Sequence, residues 1–243
     1  MGRIILLFTS VIVVTLFTVN AFWLQFKGHS TIQIIDRLPI LFAPANFIYY
    51  IWVLVFIFLF LWIYNYIKLR RTDYFISIPQ VILFLCVVIF QIASLWSWHS
   101  EHFLLSFVLF FIQVILLFGL YLTYPLKKEL FKLRMPIAIY FSWSTYLLIL
   151  HGWYLLVDMQ WKGFGLSSAL WTVILMTIGT AIALHLRYHH FDIVYPIVFI
   201  WCYLGIAVSN GFDELLVTTA ALFLIGVLVV GIFFMKKNPA HLK

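Results

Sequence analysis

Three sets of residues in this 243-residue chain have the types and spacing to hold a small molecule. Gln91, Ser94 and Trp98 recur at i, i+3, i+7, and Trp143, Leu147 and His151 at i, i+4, i+8, so each set shares one face of a helix. Tyr49, Trp52 and Phe56, again at i, i+3, i+7, follow Pro44 in the stretch LFAPANFIYYIW and give an aromatic face. Asn20 adds an amide from a fourth segment. All lie in apolar surroundings, where an amide or imidazole without a partner is costly. Each therefore bonds to a neighbouring helix or lines a cavity that takes water or a ligand. The chemistry these types support is binding. No acid–base pair for hydrolysis or group transfer accompanies them.

The elements that must position them are membrane helices. The chain is 65% hydrophobic and only 9% charged, where soluble chains carry about 25% charged residues. Apolar runs of roughly 20 residues recur, and the pattern predicts an all-α polytopic bundle of about eight transmembrane helices. The expected spans are 4–24, 43–67, 77–98, 103–123, 136–157, 168–186, 191–209 and 214–235. The first could also serve as a signal peptide cut after Ala21, but its long apolar run favours retention as a span. With these spans, Asn20, Tyr49, Trp52, Gln91 and His151 fall at about one level, in the outer part of the bundle. Trp23, Trp98, Trp161 and Trp171 lie near the outer boundary, where belt anchoring accounts for them. Trp52, Trp143 and Trp201 lie deeper.

Charge placement gives the orientation. Arg3, Lys68, Arg70, Arg71, Lys127, Lys128, Lys132, Arg134, Arg187, Lys236, Lys237 and Lys243 fall on one side of an eight-span fold. Lys27, Arg37 and Lys162 fall on the other. The positive-inside rule then places both termini in the cytoplasm of a multi-pass cell-membrane protein. The net charge of +7 reflects this topology and not nucleic-acid binding.

Several function classes are excluded or disfavoured. No lysine lies inside an expected span, so a retinal Schiff base is excluded. No carboxylate lies well inside one, which counts against an ion-coupled transporter. Cys86 and Cys202 sit in apolar runs with no metal spacing. His99 and His102 flank a short turn expected to be solvated, and His185, His189 and His190 form an interfacial group at the end of the sixth span.

The stretch FAPANFIYYIW (42–52) resembles the F-T-P-A-G-Y-x-F-x-I-W signature of the tryptophan-rich sensory proteins, the TspO/MBR group related to the mitochondrial translocator protein. Phe42, Pro44, Ala45, Ile51 and Trp52 match, while Ala43, Asn46 and Tyr49 depart. WHSEHFLLS (98–106), WKGFGLSSALWT (161–172) and DIVYPIVFIWCYLGIA (192–207) look like the longer bacterial branch of the group. The resemblance implies a five-helix bundle over residues 1–157, whose long first connection (about 25–42) covers a ligand pocket, and a three-helix extension over 158–243. It implies a receptor or carrier for a flat hydrophobic ligand, tetrapyrrole or lipid-like, in a bacterial membrane. Porphyrin or haem would then be a ligand and not an obligatory cofactor. Gln91 and Ser94 stand where relatives carry Asn and Trp, and His151 stands for an Asn eight residues after Trp143, so specificity is expected to differ. His151 is the candidate for haem iron. Passive transport or lipid handling is one alternative. Light-dependent porphyrin breakdown at Trp52 and Trp143 is another. Membrane lipids and a hydrophobic small molecule are the expected partners. Relatives pair in the membrane, and Gly179, Ala181 and Ala183 offer a small-residue face for a homodimer.

Overall fold

The computed structural model describes residues 2–69, 75–124 and 131–235. Arg70, Arg71, Lys127, Lys128, Lys236, Lys237 and Lys243, which the charge argument uses, lie outside the described residues. The described elements are all helical: α1 (Gly2–Trp23), α2 (Thr31–Ile35), α3 (Ile51–Lys68), α4 (Ile78–His99), α5 (Phe103–Leu122), α6 (Phe131–Asp158), α7 (Ser168–His190), α8 (Val194–Asn210) and α9 (Leu215–Phe234). Short 3-10 segments lie between them among the described residues, at Phe26–Gly28, Asn46–Tyr50 and Gly163–Gly165. Among the described residues seven helices are long and apolar enough to cross a bilayer, and the chain is a polytopic helical membrane protein. The seventh expected span, 191–209, is α8, which has 17 residues and is the short one.

Helix starts follow readable capping chemistry. Ser30 and Gln33 form a reciprocal capping box on α2, and Ser77 and Gln80 form one on α4, where Pro79 occupies the first turn. Ser167 Oγ accepts from Leu170 N at the start of α7. Asp192 Oδ1 does the same for Val194 N and Tyr195 N before α8. The second span differs from expectation. Pro44 does not sit in its first turn. A 3-10 turn over Asn46–Tyr50 intervenes and the α-helix begins at Ile51.

The helices pack as two compact units, Met1–Leu38 with Tyr50–Ser144, and Pro39–Tyr49 with Thr145–Lys243. This partition runs through α6 between Ser144 and Thr145, whereas the sequence division was drawn at 157. It also places part of the first connection in the second unit. Of the span window in α6, 78% is buried, against 50% or less in every other candidate span. That explains why α6 has no polar face of its own: Ser142, Ser144, Thr145 and His151 are all buried.

In the first unit α4 packs along α5 and α1, and α1 along α3. Residues 24–38 are tied to the end of α4. Lys27 Nζ donates to Ser100 Oγ at 2.6 Å and lies 4.1 Å from the centre of the Trp96 ring. Arg37 pairs with Glu101 at 2.7 Å. His99, expected in a solvated turn, is buried between Phe26 O and Thr31 Oγ1, each 3.0 Å from a ring nitrogen. A carbonyl only accepts, so His99 Nδ1 carries a proton.

In the second unit α7, α8 and α9 pack together, and residues 39–49 are threaded onto them. Ala45 N donates to Gly205 O at 3.1 Å, Asn210 Nδ2 to Leu41 O at 2.9 Å, and Tyr146 OH to Phe42 O at 3.0 Å. Gly179 lies against Phe199 and Tyr203, and Ala183 is buried. These two positions of the small-residue face are therefore used within the chain.

Candidate functional site

Four rings of the first unit converge on Trp52. Phe22, near the end of α1, meets its indole edge-on at 5.7 Å. Phe56, one turn along α3, stacks on it at 5.5 Å. Tyr140 and Trp143 approach from α6 at 6.0 and 6.1 Å. All five side chains are buried, Trp52 and Trp143 completely. The helical repeat explains the convergence: Trp52 and Phe56 are four residues apart on α3, and Tyr140 and Trp143 three apart on α6, so each pair shares a face.

Tyr140 connects this aromatic cluster to two amides. Gln113 Nε2, on α5, donates to Tyr140 OH at 3.4 Å, and Tyr140 OH donates to Gln91 Oε1, on α4, at 3.4 Å. Both bonds are long. They leave Gln91 Nε2 and Gln113 Oε1 with no hydrogen-bond partner among the described residues. Trp52 Nε1, Ser144 Oγ and Thr18 Oγ1 are in the same state. A buried polar atom left so costs about 1–3 kcal/mol, and here five gather in one unit. None of the side chains in this cluster is charged. The arrangement can stack on a flat apolar molecule and offer it indole and amide hydrogens. It has no group to move a proton. Among the described residues no set of three or more His, Cys, Asp or Glu is placed to hold a metal.

The expected residues distribute unevenly around this cluster. Trp52, Phe56 and Trp143 come together through direct ring contacts, and Gln91 joins them through Tyr140. Ser94 is buried but spends its hydroxyl on packing: its Oγ donates to Ser106 O at 3.0 Å, and Ser106 Oγ donates to Ser94 O at 2.9 Å. Trp98 is fully buried with Phe103 edge-on at 5.0 Å, so it is not an anchor at the membrane surface. Asn20 is exposed on α1. Tyr49, Leu147 and His151 belong to the second unit, where each is buried. Trp201, expected deep, is 41% exposed and paired with Phe47.

Sequence reasoning missed Phe22, Tyr140 and Gln113. Two signals were available. Gln113 is a lone amide in the middle of an apolar span, and Tyr140 precedes Trp143 by three residues. It also missed a second aromatic group in the first unit. There Trp62 Nε1 donates to Tyr124 OH at 2.9 Å, and Tyr66 OH lies 3.0 Å from the same oxygen.

A family model described as TSPO-like protein matches residues 4–234. The match runs through α7, α8 and α9 as well as the earlier helices. No curated protein and no solved structure matches the chain.

Proposed function

Taking as premise that the chain belongs to the TSPO-like protein family, we propose that it is a membrane receptor or carrier for a flat hydrophobic ligand, of tetrapyrrole or lipid-like chemistry. The observation that carries this reading is the Trp52 cluster. Aromatic faces surround Trp52, and the buried Trp52 indole and Gln91 amide hydrogens lack partners among the described residues. A ligand acceptor entering this cluster would recover the free energy those hydrogens forfeit, while the rings supply apolar contact. Nothing in the cluster does acid–base work, so binding fits it better than catalysis.

Titration of the detergent-purified protein with protoporphyrin IX, followed by tryptophan quenching, tests the reading. Saturable quenching that weakens at least about tenfold in Trp52→Ala supports it, since tenfold is about 1.4 kcal/mol of contact. Unchanged binding in a folded Trp52→Ala variant removes the site. We place both termini on the cytoplasmic face of the membrane, on the excess of Lys and Arg on that side of the expected spans, and we take the membrane as bacterial from the resemblance to the longer bacterial branch of the family. Reporter fusions at each terminus that read an external location would reverse this orientation.

A further inference from the structure

The last turns of α7 carry a second arrangement, separate from the aromatic cluster. His185 and His189 stand one helical turn apart, with ring centres 4.3 Å apart and planes tilted by 39°. Both side chains are exposed. Apart from each other, their one described ring contact is the edge-on approach of Tyr188 to His189 at 5.0 Å. The intervening cation is turned away. Arg187 is buried, and its Nε and Nη2 both donate to Ile232 O, at 3.2 and 2.8 Å. Asp192, the nearest carboxylate in sequence, is buried and caps α8 through Val194 N and Tyr195 N. The two imidazoles therefore face outward together, with no neighbouring charge in a described contact.

Two imidazoles at i, i+4 on one helix face can reach a single metal ion, the same spacing that HExxH helices use. Imidazole nitrogen suits Zn²⁺, Ni²⁺ and Cu²⁺ better than hard ions such as Mg²⁺ or Ca²⁺. Position adds to this. α7 ends at His190, and the unpaired carbonyls of a helix C-terminus favour a cation there. The geometry points to a two-histidine binding site for a borderline divalent transition-metal ion at His185 and His189. With two protein ligands, the remaining coordination positions stay open to water or an exogenous donor. The ion binds through the lone pairs of neutral imidazoles, so protons compete with it for both rings. This inference does not depend on what the Trp52 cluster binds.

The test uses full-length protein without a polyhistidine tag, titrated with Cu²⁺ and read by electron paramagnetic resonance, with a parallel Ni²⁺ thermal-shift series. The expected result is one Cu²⁺ per chain with coupling to two nitrogens. Affinity should fall at least about tenfold in His185→Ala and again in His189→Ala, and Cu²⁺ should bind more tightly than Ni²⁺. His29→Ala, exposed in the other unit, should leave binding unchanged. Alanine at two exposed helix positions favours the helix, so these variants should fold. Binding that survives both single substitutions, or a one-nitrogen signal in the parent protein, overturns the site.

Discussion

The two units differ in how completely they pair their buried polar groups. In the second unit, buried polar groups are committed to the chain itself. Tyr146 OH donates to Phe42 O, Asn210 Nδ2 to Leu41 O, and Tyr203 OH to Met176 O, while Thr172 and Thr180 donate to carbonyls one turn back. These bonds answer a specific problem: residues 39–49 are mostly irregular, and in an apolar setting their carbonyls need donors. In the first unit, Trp52 Nε1, Gln91 Nε2, Gln113 Oε1, Ser144 Oγ and Thr18 Oγ1 are buried with no such partner among the described residues. One interior is built to hold an irregular segment. The other keeps polar atoms in reserve, which is the pattern expected of a binding site and costs stability until something binds.

Substitutions should break this contrast first in the second unit. The largest effect is expected at Gly205. A Cβ there would overlap the Ile48 side chain and lie 3.0 Å from Pro44 Cβ, so the signature stretch would have to move off α8. Gly205→Ala is expected to cost about 1–3 kcal/mol, the usual penalty for overpacking, and Gly205→Val more. The check is thermal unfolding in detergent. An unchanged midpoint for the valine variant would mean that Pro44 and Ile48 do not rest on α8. Next comes Tyr146→Phe, which keeps the ring stacked 5.2 Å from Phe42 but removes the donor to its carbonyl. An orphaned buried carbonyl costs about 1–3 kcal/mol. Tyr146→Phe should therefore fall in the same range as Gly205→Ala or slightly below it, measured in the same way.

Much of this was legible beforehand, and the failures have physical causes. Span positions follow from hydropathy. The family was readable from FAPANFIYYIW. The phase arguments at Trp52/Phe56 and Gln91/Ser94 picked buried faces, because spacing fixes which residues share a face. Spacing does not say what a shared face meets. Ser94 met Ser106 and became packing, while Gln91 met Tyr140 and became part of the candidate site. Depth was the weakest guide. Asn20 and Trp52 were placed at one level, yet one is exposed and the other fully buried, because level along a span says nothing about rotation about it. His99 was misjudged because its partners, Phe26 and Thr31, come from a connection whose path no periodicity encodes.

In the first unit the expected effects on stability are small, and that smallness is the prediction. Ser144→Ala and Thr18→Val remove polar atoms with no partner among the described residues. Both should leave the unliganded midpoint within about 0.5 kcal/mol or raise it. Gln91→Leu should also be mild, since the bond it loses is 3.4 Å long. Its cost should instead appear in ligand binding. A loss of several kcal/mol of unliganded stability in any of the three would mean that the unit is not holding polar atoms in reserve.

The smallest effect belongs to the Arg37–Glu101 pair, which ties residue 37 of the first connection to the α4–α5 turn. The hydrogen bond from Arg37 and its positive charge hold the Glu101 carboxyl below its ordinary value. A depressed carboxylate contributes above its unfolded pKa, about 4.3, and the contribution is lost as pH falls through the lower folded value. Glu101 is exposed, so salt and solvent keep the pair weak, and global unfolding should barely register its loss. Local opening should register it. Hydrogen exchange across residues 24–38, corrected for intrinsic pH effects, should rise as pH drops through the lowered folded value of Glu101. Arg37→Gln should show the raised exchange already at neutral pH, with no further rise on acidification from this pair. Identical exchange in the parent and Arg37→Gln at neutral pH would mean that Lys27, His99 and Thr31 hold this connection without the pair.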